Sequence, residues 1–314
     1  MDAGKVAVWY VFNVKLCKGF CMAEKARSGK VTEQTLLGVV QRPLKDFLKF
    51  ISSIKPPKLP ETKGMKEPQL YDVYAKYVES NGDQDAKDAL QRGDQVIVAL
   101  RIINNTRDNR GRGLYDDRMV ILWQEPGKTP VKHCKEYKAN TEPSAQYEQR
   151  DAHFVQSKSK GKQVKVVHEI YGPDGKKVDF SKNDGQDVDG NKRLDLGRLQ
   201  AGNYKFYNAG GTFLGGAYLR PRGSQTAQRD TNHDGVFDSK DAWETPSGNV
   251  LMHVGDFAMY IHKGGAANTW SAGCQTLPPH EHAAFFKTLN SKKPKQSDYS
   301  YVLVEMEWEW DGKK

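Results

Sequence analysis

The chain has 314 residues, a formal net charge of +9 and a pI near 9.1. That length suffices to bury a real core in one large domain or two smaller ones, and four cysteines are too few for a disulfide scaffold. The excess of base points to anionic partners such as acidic cell-wall polymer. The basic residues are scattered, however, and short clusters such as 158–162 and 292–295 form no nucleic-acid-binding motif, so solvated loops and no nucleic-acid partner are expected.

Near the start, the apolar stretch 6–12 is too short to span a bilayer and reads as a buried strand. It lacks the strongly positive start and small-residue cleavage site of a signal peptide. Work outside the cytoplasm, in the periplasm or wall, then calls for specialised export or lysis. Cys17 and Cys21 can share a helix face, form one disulfide or simply be buried. Leu44, Phe47, Leu48 and Ile51 recur at helical spacing, and the run Lys55-Pro56-Pro57-Lys58-Leu59-Pro60 ends that pattern as a stiff linker. Residues 1–66 are accordingly expected to be an accessory region and 67–314 a β-rich domain.

Within that domain, helices are predicted over 70–78, 84–91 and 280–289. Val96 to Ile103 is a near-continuous β-rich run, as a strand buried on both faces would be. Further strands are predicted over 119–123, 164–170, 204–207, 250–262 and 301–310. The fold class is α+β, mainly β, with a few helices. His133 and Cys134 lack the paired spacing of a zinc site.

The segment 230–241 reads as a calcium loop. Asp230, Asn232 and Asp234 place oxygens at positions 1, 3 and 5, and Gly235 permits the sharp turn at position 6. Asp238 and Asp241 add carboxylates at positions 9 and 12. It resembles the loops of dockerins more than a paired EF-hand, with aspartate where the EF-hand has glutamate, and it implies a structural Ca2+. The run from Asp187 through Asp189 and Asn191 to Asp195 has a similar flavour and is expected to be a polar turn.

The chemistry is expected between His253 and Pro279. A thiol must become a thiolate to attack a carbonyl, and an adjacent imidazole can take its proton. His262 closes an apolar run. A Gly-, Ala- and Asn-rich loop, read as flexible, then leads to Ser271-Ala272-Gly273-Cys274, twelve residues on. Gly273 allows close backbone approach, and N–H groups near Cys274 can bind an oxyanion. A helix N-terminus or a main-chain carbonyl is needed to orient His262.

These residues resemble the signature of the L,D-transpeptidase (YkuD-type) family: a histidine at a strand end, a loop, then Ser-x-Gly-Cys. The resemblance implies action on peptidoglycan stem peptides through a cysteine acyl-enzyme. It makes Cys274 the nucleophile, His262 the base, Ser271 and Gly273 the shapers of the pocket, and His253 a second motif histidine or substrate contact. Gln275 and Thr276 follow the cysteine where the family usually has an arginine, which makes Gln275 a candidate substrate contact and leaves transfer and hydrolysis both open. Similar segments look like those of phage-associated and interbacterial wall-targeting proteins, which implies an antibacterial or lytic role, with an immunity protein or secretion carrier as partner. The alternatives are a muramidase-like enzyme with Glu142 as acid, partnered by Asp116, Asp117 or Glu148, and a non-catalytic calcium-stabilised wall-binding domain.

Overall fold

The structure, a computed structural model, describes residues 54–55, 57–156, 163–244, 258–306 and 309–310. The strand expected at 6–12, the helix around 44–51, Cys17, Cys21 and His253 lie outside the described residues. In chain order the elements begin with β1 (Ile54–Lys55), α1 (Glu67–Asn81), α2 (Gln84–Gln91), β2 (Val96–Arg101), β3 (Asp117–Glu125) and β4 (Val131–Ala139). There follow β5 (Ala152–Gln156), β6 (Gln163–Val167), β7 (Gly197–Leu199), β8 (Gly202–Asn208), β9 (Leu219–Pro221), β10 (Ala227–Arg229) and β11 (Ala242–Glu244). The last are β12 (Ile261–Lys263), β13 (Gln275–Leu277), α3 (Pro279–Leu289), β14 (Asp298–Glu305) and β15 (Glu309–Trp310). The protein is mainly β with a few helices, as its sequence predicts. No helix among the described residues is long and apolar enough to cross a membrane.

Two compact units divide the chain: Met1–Pro57 with Glu307–Lys314, and Lys58–Met306. In the first, β1 pairs antiparallel with β15. The division falls inside the Pro-rich stretch, upstream of residue 66. Pro60 and Thr62 are already tied to the second unit, because Arg118 donates to the Pro60 carbonyl at 2.9 Å and the Thr62 hydroxyl donates to Glu136 at 2.9 Å.

The second unit is built on an eight-stranded sheet in the order β13-β12-β9-β8-β14-β2-β3-β4. Neighbours are antiparallel except β12 with β13 and β14 with β2. Asn140, one residue past β4, bridges Thr276 in the middle of β13: each N–H donates to the other's carbonyl, at 2.8 and 2.7 Å. The first and last strands are thus joined, and the sheet curls round an interior.

Strand alternation explains which residues fill that interior. Ile97 and Ala99 of β2 face it, with Met119, Ile121, Phe206, Tyr301, Leu303 and, from α3, Phe285 and Leu289. Val96, Val98 and Leu100 face the other way, beneath Tyr74 and Val78 of α1 and Ala86 and Leu90 of α2. The strand is buried on both faces, which is why its sequence is nearly continuous in apolar residues. On α1, Tyr71, Tyr74, Ala75 and Val78 form the buried stripe, and Asp83 caps α2 by accepting the Ala86 N–H at 2.8 Å.

Arg101 ends β2 on the interior side and is fully buried. It donates to the Thr141 hydroxyl (2.9 Å), the Thr141 carbonyl (2.8 Å) and the Leu199 carbonyl (2.7 Å), and lies 3.5 Å from Glu305. One guanidinium therefore joins β2, β7, β14 and the segment that closes the sheet. Arg101→Ala strands these acceptors in the interior and is expected to cost about 3–5 kcal/mol. Urea unfolding checks this against Lys205→Ala, an exposed control expected to change stability by less than about 0.5 kcal/mol.

Candidate functional site

The Cys274 region starts from the parallel pairing of β12 with β13. Ile261 stands opposite Gln275, His262 opposite Thr276 and Lys263 opposite Leu277. Ile261 and Leu277 face the interior, so His262 and Thr276 face outward. One step earlier, Gln275 donates to the Tyr260 carbonyl at 2.8 Å, and the Tyr260 N–H points at the Cys274 sulfur, 3.4 Å away. Cys274 thus stands beside Tyr260, two residues before His262 on the neighbouring strand.

His262 is 1% exposed, and its Nδ1 is 2.8 Å from the Lys263 carbonyl. A carbonyl only accepts, so Nδ1 carries the hydrogen and Nε2 keeps its lone pair. Of the two orienting groups that the sequence leaves open, the main-chain carbonyl is the one present. Burial pushes His262 down to about 4, with the Lys263 hydrogen bond working the other way. Burial also pushes the half-buried Cys274 thiol up to about 12, against the pull of the Tyr260 N–H. The resting pair is therefore neutral thiol and neutral imidazole.

The loop between them is tied down rather than flexible. Tyr115 donates to the carbonyls of Gly265 (2.9 Å) and Asn268 (3.1 Å), and the Thr269 N–H donates to Arg112 O at 2.8 Å. Asn268 and Gln146 exchange amide hydrogen bonds at 2.8 and 2.9 Å. Ser144 gives both its N–H and its hydroxyl to the Ser271 carbonyl, each at 2.8 Å. Ser271 itself is fully buried. Its hydroxyl donates to the Cys274 carbonyl (2.7 Å) and accepts from the Gly273 N–H (3.1 Å), so it braces the turn that presents the sulfur.

Gly273 has φ +151°, and a Cβ there would lie 2.6 Å from the Gly197 carbonyl oxygen and 2.7 Å from the Met259 methyl. The neighbouring Ala272 carbonyl accepts the Gly197 N–H at 3.2 Å. The turn thus rests directly on β7. Gln275 is fully buried, donates to the Gly273 carbonyl (3.1 Å) and accepts from the Tyr301 hydroxyl (3.0 Å). It supports the turn from the interior side, so its amide is spent on the protein and not offered to a ligand. No hydrogen bond among the described residues claims the N–H of Cys274.

Aromatic rings wall the outward face. Phe213 packs edge-on to His262 (4.9 Å) and to Tyr260 (5.3 Å), Tyr218 packs on Tyr260 (5.5 Å), and the Arg220 guanidinium lies 5.6 Å over the Tyr260 ring. None of Tyr115, Ser144, Gln146, Gly197 or Phe213 is singled out by local sequence, because each meets the site only through long-range folding.

Glu142 lies in a different setting. It is 5% exposed, its Oε2 accepts the Asn104 N–H at 2.9 Å, and its Oε1 is 3.7 Å from Arg198. Burial pushes it up to about 7, opposed by Arg101 and Arg198. Asp117 is also buried, accepting from the Ile102 N–H and from Thr141, each at 2.7 Å. Asp116 takes the Asn104 side-chain amide, and Glu148 sits 3.5 Å from Arg107. Each of these carboxylates has at least one oxygen held by the surrounding protein, while Glu142 Oε1 and Glu148 Oε2 are buried without a hydrogen-bond partner.

In the loop 230–241, Asp230 accepts the N–H groups of Asp234 (3.1 Å) and Gly235 (3.0 Å). Asn232 accepts from Asp234 (2.9 Å), Asp234 from Val236 (2.8 Å) and, further on, Asp241 from Asp238 (2.8 Å). The carboxylates expected to hold calcium here are thus hydrogen-bonded within the loop and do not form a convergent group of three. Among the described residues, the group of three carboxylates that converges within 4.8 Å is Asp187, Asp189 and Asp195. No family model, curated protein or solved structure matches the chain.

Gly273→Ala meets both the left-handed backbone and the Gly197 oxygen, and is expected to cost about 2–4 kcal/mol. Gly202 has nearly the same φ, +149°, and a Cβ there would meet nothing within 4 Å. Urea unfolding of Gly202→Ala is therefore expected to show the backbone cost alone, about 1–2 kcal/mol.

Proposed function

We propose that the protein is a cysteine enzyme acting on peptidoglycan stem peptides, with Cys274 as nucleophile and His262 as base. The observation that supports this reading is the pairing of β12 with β13, which sets the Cys274 sulfur beside Tyr260, two residues before His262, together with Nδ1 of His262 anchored on the Lys263 carbonyl so that Nε2 is left as acceptor. A buried neutral histidine of this kind can take a proton only from a partner beside it, and this reading assigns that part to Cys274.

In this reading the Cys274 sulfur attacks an amide carbonyl while its proton passes to Nε2 of His262. The carbonyl oxygen gains the negative charge and is met by the free N–H of Cys274. Collapse breaks the C–N bond, and the leaving amine takes the proton back from His262. The thioester is then resolved by water, giving hydrolysis, or by an acceptor amine, giving transfer. The formal charge of +9 favours approach to an acidic wall polymer. The calcium read at Asp230–Asp241 has a structural role in this account.

Mass spectrometry of peptidoglycan incubated with the protein is expected to show altered stem-peptide bonds. Cys274→Ala is expected to abolish them, and His262→Gln to slow their appearance by about 10²–10⁴-fold. Products that persist undiminished in Cys274→Ala, or new reducing ends from cleaved glycan, would sink the reading.

A further inference from the structure

The segment 187–195 folds as a second copy of the turn at 230–238. In the latter, the N–H at position 5 donates to the position 3 side chain, position 6 to position 1, and position 7 to position 5, through Asp234, Gly235 and Val236. In the former the same three bonds recur: Asn191 to Asp189 (3.0 Å), Lys192 to Asp187 (2.9 Å) and Arg193 to Asn191 (2.7 Å). Lys192 takes the left-handed conformation, φ +69°, that Gly235 takes at +81°. Asp195 then falls at position 9, as Asp238 does in the first loop.

A repeated turn and a group of acids do not make a site by themselves. The further observation is Asp195. It is fully buried, and it brings a carboxylate oxygen within 4.8 Å of one from each of Asp187 and Asp189. Its Oδ2 accepts the Val188 N–H at 3.1 Å, inside the loop. Its Oδ1 is buried with no hydrogen-bond partner. His233 Nε2 lies 3.2 Å from that oxygen without hydrogen-bond alignment, and the Arg229 guanidinium donates to the Asp195 main-chain carbonyl at 3.4 Å. A buried carboxylate with one unpaired oxygen, grouped with two more carboxylates, is disfavoured unless a cation joins them.

We propose that Asp187, Asp189 and Asp195 bind a calcium ion, with the oxygen-only donor set selecting a hard divalent cation. The site lies against the Cys274 turn. Asp195 leads through Leu196 to Gly197, whose N–H holds Ala272 and whose carbonyl underlies Gly273. An ion here fixes the start of β7 and so the floor on which Cys274 is presented. The site does not depend on the chemistry proposed for Cys274.

The test uses the full chain, stripped with EGTA and titrated with calcium by isothermal titration calorimetry. Asp189→Asn alters an exposed ligand, and Asp234→Asn alters the other loop; both are compared with wild type after matching far-UV circular dichroism. The expected result is a calcium site in wild type that Asp189→Asn weakens at least tenfold and that Asp234→Asn retains. A calcium isotherm for Asp189→Asn that matches wild type overturns the proposal, as does a wild-type chain that takes up no calcium.

Discussion

Two backbone hydrogen bonds between Asn140 and Thr276 join β4 to β13, and the position of Cys274 depends on that joint. β12 and β13 are three residues each, far too short to stand as an independent sheet. Their parallel pairing survives because β12 is held by β9 on one side and β13 by Asn140 on the other. Arg101 reinforces the closure from within, by grasping Thr141 next to Asn140 and the Leu199 carbonyl of β7. The interior core and the outward position of His262 are therefore consequences of one curled sheet.

Closure also sets the electrostatics. Pulling His262 out of water makes the imidazole neutral, and the low-dielectric surroundings keep the Cys274 thiol protonated. In the proposed mechanism such a pair is quiet at rest, and attack proceeds as the proton leaves the thiol and the carbonyl oxygen takes up the displaced electron pair. The turn bearing the sulfur gains its rigidity from Ser271, Gln275 and Gly197, so the residues around Cys274 act mainly by positioning it.

Local pattern made much of this legible. The apolar run at β2 predicts burial on two faces, and α2 spans 84–91 as its spacing predicts. His262 and Ser271-x-Gly273-Cys274 mark the segment whose two short strands pair with each other. The closure was not legible, because strands of three residues carry no periodicity and Asn140 looks like any loop residue. The loop 264–273 reads as flexible from its glycines and alanines, yet Tyr115, Ser144 and Gln146 hold it from more than a hundred residues away. Gln275 looks available next to a nucleophile, but strand alternation turns it inward. At 187–195 the lysine in place of glycine at position 6 hides a turn whose hydrogen bonds match those of the loop 230–238.

The central claim is that Cys274 becomes covalently acylated with the help of His262. It is tested most directly by intact-mass spectrometry of the chain, quenched in acid within seconds of mixing with peptidoglycan stem peptides, followed by peptide mapping. The account predicts a stem-peptide adduct on Cys274 that forms much more slowly in His262→Gln. Turnover without an adduct on Cys274, or an adduct that forms equally fast without His262, would contradict it.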